Sequence, residues 1–186
     1  EHTEWLKEIS AYKDYESANT DKALPAYRIL TALRAFTDAD TPVATDVGQH
    51  QMWTAQHYPF EKPRTLITSG GLGTMGFGMG AAIGAKIANP KRPVVLVTGD
   101  GSFHMNMNEL ATAVSEKLPI VVLIFNNHVL GMVRQWQTLF YEHRYSNTTI
   151  DRATDYVKLA EAFGGKGLRI KTRYDIEPVM KEAMHS

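Results

Sequence analysis

The strongest constraint on this chain is an alternation along its length. Short apolar runs rich in β-branched residues, "PVATDV", "TLITS", "PVVLVTGD", "PIVVLIFNN" and "GKGLRIK", are separated by helical-period segments near 76–88, 107–117, 131–141, 154–163 and 175–184. Strands that alternate with helices pair in parallel, because each return to the same edge needs a crossover, and the crossover helices then cover both faces of the sheet. "VVLV" and "IVVLIF" are continuously apolar, as strands buried on two sides must be. The pattern predicts an α/β fold, a three-layer sandwich with a mostly parallel central sheet flanked by helices. Ahead of it, "PAYRILTALRAF" sets Tyr27, Leu30, Leu33 and Phe36 on one helical stripe behind Pro25, a residue suited to a first turn.

At 186 residues the chain can close one ordinary core without staples. Its 20 basic and 20 acidic residues cancel, so no whole-chain field points to nucleic acid or an anionic membrane. The absence of cysteine excludes disulfides and thiolate metal sites and suits a cytoplasmic or organelle interior. No apolar run is long enough for a transmembrane helix. In "EHTEWLKEISAYKDYESANT", Trp5, Ile9 and Tyr12 lie at helical spacing. Residues 1–22 therefore read as a helix and linker ahead of a domain over 23–186. A start at Glu1 and a stop at "KEAMHS" suggest a piece of a longer protein, C-terminally truncated.

After "TLIT" comes "SGGLGTMGFGMGAAIGA", in which Gly71-x-Gly73-x-x-Gly76 has the spacing of a dinucleotide fingerprint. The same glycines could be packing devices or could serve another diphosphate. Gly76, Gly80 and Gly84 recur every four positions and would let one helix face press on a neighbour.

Ligands in such folds sit beyond the carboxyl ends of the strands. Gly99-Asp100-Gly101-Ser102 follows one central run and Asn126-Asn127 the next. One strand-helix-strand unit joins them, so Asp100 and Asn127 can converge at one edge. A carboxylate with an amide oxygen suits Mg²⁺, which shares its shell among a few protein oxygens, phosphates and water. Alone, Gly-Asp-Gly reads as a turn; the joint occurrence with a glycine-rich third strand end points to a diphosphate held through Mg²⁺. Met132, Trp136 and Phe140, at i, i+4 and i+8, read by themselves as a core-facing stripe. His50 and His57, seven apart on a helix, do not have zinc-site spacing. "YEHRYS" reads as a solvated helix end.

"GDGSFHMNMNELATAVSEKLPIVVLIFNN" is similar to the Mg²⁺-diphosphate motif of thiamine diphosphate enzymes. "VGQHQMWTAQHYPFEKPRTLITSGGLGTMGFG" and "LGMVRQWQTLFYEHRYS" resemble the carboxyl-terminal domain of the acetolactate (acetohydroxyacid) synthase catalytic subunit, a likeness running from about Leu24 to Ile170. The resemblance implies thiamine diphosphate and Mg²⁺ as cofactors. Asp100, Asn127 and the backbone carbonyl of Val129 would ligate the metal. Gly48, Gln49, His50, Gly101 and Ser102 would contact the diphosphate, and Gly73 would let the backbone approach the cofactor. Gly131 and Met132 would lie against it, Met75 would support its bent shape, and Met132 and Trp136 would line the substrate channel.

By the same resemblance, the full enzyme decarboxylates pyruvate and joins the hydroxyethyl unit to a second 2-keto acid, on the route to branched-chain amino acids. Family members form homodimers or tetramers, bind FAD in a middle domain and in some cases take a regulatory small subunit. The catalytic glutamate belongs to an amino-terminal domain of a neighbouring subunit, so this chain would hold no catalytic residue and would be inactive alone. Gly80 stands where the family usually has proline, and would fray the helix start. A pyruvate oxidase or glyoxylate carboligase is the alternative of the same chemistry, and a NAD-binding Rossmann domain that of another class.

Overall fold

The structure, a computed structural model, describes residues 24–186. The expected helix and linker over 1–22 lie outside the described residues. Strands β1 (Val43–Thr45), β2 (Leu66–Ile67), β3 (Val95–Gly99) and β4 (Val121–Phe125) form one parallel sheet in the order β2-β1-β3-β4. Register is continuous, with Val43 paired to Val95 and Val95 to Val121. Each residue of β3 is buried, as its unbroken apolar run requires, whereas β4, equally apolar, is an edge strand of the described sheet and is only half-buried throughout.

The helices are α1 (Ala26–Ala35), α2 (Gln49–His57), α3 (Phe77–Ala88), α4 (Asp100–Asn106), α5 (Leu110–Ser115), α6 (Gly131–Phe140), α7 (Tyr156–Ala162) and α8 (Ile176–Met184). Alternate strand residues face opposite layers. Val43, Val95 and Val97 meet Ile29, Leu30 and Leu33 of α1 and Ile176 and Met180 of α8, with Trp53 of α2 and Phe125 at the margin. Ala44, Leu96 and Val94 meet Met79, Ala82 and Ala85 of α3 and Ala113 of α5. This is the expected three-layer sandwich. Among the described residues, no helix is long and apolar enough to cross a membrane.

Several local expectations are corrected. "GKGLRIK" forms no strand: after α7 it runs as irregular chain, with Gly167 pressed onto Val157, where a Cβ would lie 2.6 Å from the Val157 carbonyl oxygen. Ile170 then packs against the α1 and α8 core instead of pairing with β4. The helix expected over 107–117 begins at Asp100, so Gly-Asp-Gly enters a helical first turn and is no separate turn. A 3₁₀ turn at Met107–Glu109 divides α4 from α5. Gly80 does not fray α3, which is continuous from Phe77, and a Cβ at Gly80 or Gly84 would meet nothing within 4 Å. The close approach belongs to Gly78, where a Cβ would come to 2.7 Å from Leu96 Cδ1. The Met132, Trp136 and Phe140 stripe is not core: Trp136 is 58% and Phe140 65% exposed.

Candidate functional site

The chain leaves β1 for β2 on one side and returns through α3 to β3 on the other. The strand order therefore reverses between β1 and β3, and the crevice beyond their carboxyl ends is where an open parallel sheet takes its ligand. Residues 46–50 and 99–102 border it. The His50 ring fills the space between them: a Cβ at Gly48 would lie 2.7 Å from His50 Cε1, and one at Gly99 2.8 Å from Nδ1. Gly48, at φ 154°, makes the bend into α2. The ring donates to the Asp46 carbonyl, while Nε2 is buried with no partner. Burial pushes the imidazole down to about 4, so it is neutral at pH 7. Beside it, the first N–H groups of α2, at Gln49 and His50, have no preceding helical carbonyl.

The glycine turn lies nearby but is not a dinucleotide site. It follows β2, a two-residue edge strand away from the reversal point. The amino end of α3 is also filled from within. Asp46, 2% exposed, accepts the N–H of Gly76 at 2.8 Å and of Val47 at 3.0 Å through Oδ1, bonds the Gly78 N–H, and takes the Thr98 hydroxyl at 3.4 Å on Oδ2. Burial pushes this carboxyl up and the donors pull it back. A pyrophosphate could not take the place of that carboxylate without evicting it. Gly73 at φ 60° and Gly76 at φ 88° hold the left-handed conformations that shape the turn. Met75, between them, reaches the first turn of α4, its Cε 3.7 Å from where a Gly101 Cβ would sit.

Asp100 meets the segment after β4 at the His128 backbone, and the Asn127 side chain bonds within its own turn. Gly99 pairs with Phe125, so the strands end side by side. The Asp100 carboxylate, 3% exposed, accepts the Gly101 N–H at 3.0 Å on one oxygen and the His128 N–H at 2.8 Å on the other. Each oxygen keeps a lone pair. Asn127 is exposed, and its Oδ1 accepts the Val129 N–H at 3.2 Å. Val129 bridges Thr149 in an antiparallel pair whose bonds are made by its neighbours, Leu130 N–H to Thr148 and Ile150 N–H to His128. In such a pair the central residue turns its own N–H and C=O away from the partner. The Val129 carbonyl thus faces the side on which its N–H meets Asn127.

Burial, and then the nearby Asp100 carboxylate, push the Tyr156 phenol up to about 12 against the pull of Arg152. Burial and Arg152 push His104 down against the pull of Asp100, and His104 Nε2 is likewise buried without a partner.

Other expected site residues are turned inward. The Ser102 hydroxyl donates to the Val47 carbonyl at 2.7 Å, tying α4 to the β1–α2 loop. Gln49 packs on Gly131, where any Cβ would collide with its amide, and donates to Gln135 at 3.2 Å. Gln49, Val129, Gly131, Arg134, Gln135 and Leu139 border a groove of about 330 Å³ beside α6. Arg134 there lies 3.9 Å over the Tyr145 ring. Met132 is half-buried and Trp136 opens to solvent.

Sequence reasoning missed Asp46, Thr98 and Gly78. The signal was present in part: an aspartate closing an otherwise apolar strand has to find donors or face solvent. Its donors lie 30 and 52 positions away, and no local pattern names them.

Comparison with known proteins places this fold in a family. Residues 46–186 match the family model for the thiamine pyrophosphate enzyme, C-terminal TPP binding domain. The acetolactate synthase large subunit of Haemophilus influenzae is 45% identical over 182 residues, covering 96% of this chain and 32% of that protein. The mitochondrial acetolactate synthase catalytic subunit of Saccharomyces cerevisiae is 45% identical over 190 residues, covering 98% of this chain and 28% of that protein. The isozyme 3 large subunit of Escherichia coli is 43% identical over 184 residues, covering 97% and 32%. The chain spans about a third of the length of the curated relatives it matches. With its switch-point crevice and this match from Asp46 to Ser186, the chain belongs to the thiamine pyrophosphate enzyme family, as a C-terminal TPP-binding domain.

Proposed function

We propose that this chain is the diphosphate- and Mg²⁺-binding part of an acetolactate-forming enzyme. The observation that carries the reading is the meeting of Asp100 with the 127–129 segment beside the unpartnered His50 Nε2. The residues fit the cofactor. Asp100 and Asn127 side chains with the Val129 carbonyl offer hard oxygens of the kind Mg²⁺ takes, with phosphate and water to complete the shell. The N–H groups of residues 48–50 and of Ser102, together with the His50 ring, would bind the diphosphate, with Gly101, whose N–H is held by Asp100, beside it. Gly73, Gly131 and Met132 would line the cofactor, Met75 would hold it in place, and Trp136 would border the substrate path. Thiamine diphosphate supplies the carbanion-stabilising chemistry that 2-keto acid decarboxylation needs.

The similarity to acetolactate synthases at 40–45% identity supports pyruvate and a second 2-keto acid as substrates. The name "large subunit" borne by several relatives supports a small-subunit partner. FAD, a dimer or tetramer, and a cytoplasmic or organelle location belong to the same reading, as does a domain over 23–186 behind a linker. The catalytic glutamate would come from outside this chain, which alone would be inactive.

Calorimetric titration with thiamine diphosphate and with NAD, each with and without Mg²⁺, tests the proposal. The expected result is Mg²⁺-dependent binding of thiamine diphosphate that is lost in Asp100→Ala. Metal-independent binding of NAD overturns it, and acetolactate formation by the chain alone, above a heat-denatured control, overturns the claim of inactivity.

A further inference from the structure

We propose that Asp46 is a positioning residue that locks the diphosphate-binding loop to the turn carrying Met75; the inference rests on the function proposed above. Asp46 does not line the crevice as a ligand, since its carboxylate is 2% exposed and spent on protein donors. Those donors belong to three segments. Val47 N–H opens the loop that leads to Gly48 and His50. Gly76 N–H closes the turn that holds Met75. The Thr98 hydroxyl comes from the end of β3, two residues before Asp100. The Asp46 backbone adds two more ties, its N–H to Val97 at 3.0 Å and its carbonyl to the His50 ring.

One side chain thus joins every edge of the crevice except the β4 end. Its charge sits at the amino end of α3, where the helix dipole and first N–H groups stabilise a carboxylate. Gly78 keeps the two in contact: a Cβ there would lie 3.1 Å from both the Cβ and the amide nitrogen of Asp46. The site therefore carries its own internal anion at one helix start and leaves the β1–β3 crevice for the external one. Loss of the carboxylate releases the Met75 turn from the loop, so the two residues act as one unit toward the ligand.

A double-mutant cycle read as binding tests this. In the full-length subunit carrying this chain, dissociation constants for thiamine diphosphate are measured at saturating Mg²⁺ for wild type, Asp46→Asn, Met75→Ala and the double variant. Each single variant is expected to weaken binding about tenfold, and the double variant no more than about twofold beyond the weaker single, because coupled residues do not add. Thr37→Val is the control. It breaks the buried Thr37–Tyr58 hydroxyl pair at the opposite end of the sheet and should lower thermal stability without changing the constant.

Asp46→Asn binding as tightly as wild type overturns the proposal, as do losses that multiply to about a hundredfold in the double variant. If Asp46→Asn does not fold, Thr98→Val enters the same cycle, where a multiplicative result with Met75→Ala is equally fatal. Failure of the wild type to bind thiamine diphosphate sinks the functional reading itself, a result distinct from an unchanged or multiplicative Asp46 effect.

Discussion

Gly78 and Asp46 touch so closely that no side chain fits between them: a Cβ on the glycine would lie 3.1 Å from the Asp46 amide nitrogen and 2.7 Å from Leu96 Cδ1. Backbone cannot retreat as the tip of a side chain can. Gly78→Ala is expected to destabilise the chain by about 1–3 kcal/mol through overpacking. Gly80→Ala, two residues on, meets nothing within 4 Å and should stabilise α3 by about 1 kcal/mol. Urea denaturation of the two variants should move the midpoint in opposite directions; equal shifts would refute the assignment of the close approach.

His50 makes stability depend on pH. Its folded value of about 4 lies below the ordinary 6.5, so the folded state resists protonation. The contribution of its neutral ring is complete above pH 6.5 and is lost as pH falls from 6.5 toward 4, up to about 3 kcal/mol. His50→Gln should flatten this limb relative to wild type, with unfolding free energies compared between pH 7.5 and 4.5. Parallel curves for the two proteins would show that the ring is not held neutral.

The Asp100 contact to His128 is a bond between strand ends, and its removal should be felt locally. In Asp100→Ala the His128 N–H loses its acceptor, and a partly buried hydrogen bond to a charged group of this kind contributes about 1.5–3 kcal/mol. Hydrogen exchange at His128 and Val129 should accelerate, while Leu96 and Val97 in the middle of β3 stay protected. Uniform acceleration across β3 would mean global destabilisation instead.

The outward face of α6 should be removable without harm to the fold. Leu139 and Phe140 are each 65% exposed and Trp136 58%. The double substitution Leu139→Lys, Phe140→Lys is expected to change unfolding free energy by no more than about 0.5 kcal/mol, as exposed changes do. Binding of a fluorescent apolar dye should fall, since a contiguous exposed apolar patch is what such probes report. A large loss of stability would show that these side chains are core after all.

Much of the architecture was legible before any coordinates. Continuous apolar runs named β3 and β4, and the residues after them named Asp100 and Asn127, because a parallel sheet presents strand ends at one edge. The 3.6-residue period located α1, α3, α6 and α8 to within a residue or two. Where reading failed, a non-local term decided. "GKGLRIK" has apolar residues enough for a strand, yet Gly167 packs on Val157 and Ile170 enters the helix layer. The Met132, Trp136 and Phe140 stripe has helical spacing, but spacing says which residues share a face and not whether the face is covered.

By itself, then, the sequence determined the fold class, the family motif and which residues close β3 and β4, since these follow from local periodicity and from residue types placed directly after strands. Only the tertiary structure decided which glycine is tight, that the α3 amino end is already filled by Asp46, and that the His50 ring lies between Gly48 and Gly99. Most of those relations join residues far apart in the chain, such as Asp46 with Gly76 and His50 with Gly99, which the fold brings together. Hydrogen bonding and steric contact act across space, and a one-dimensional pattern carries no term for them.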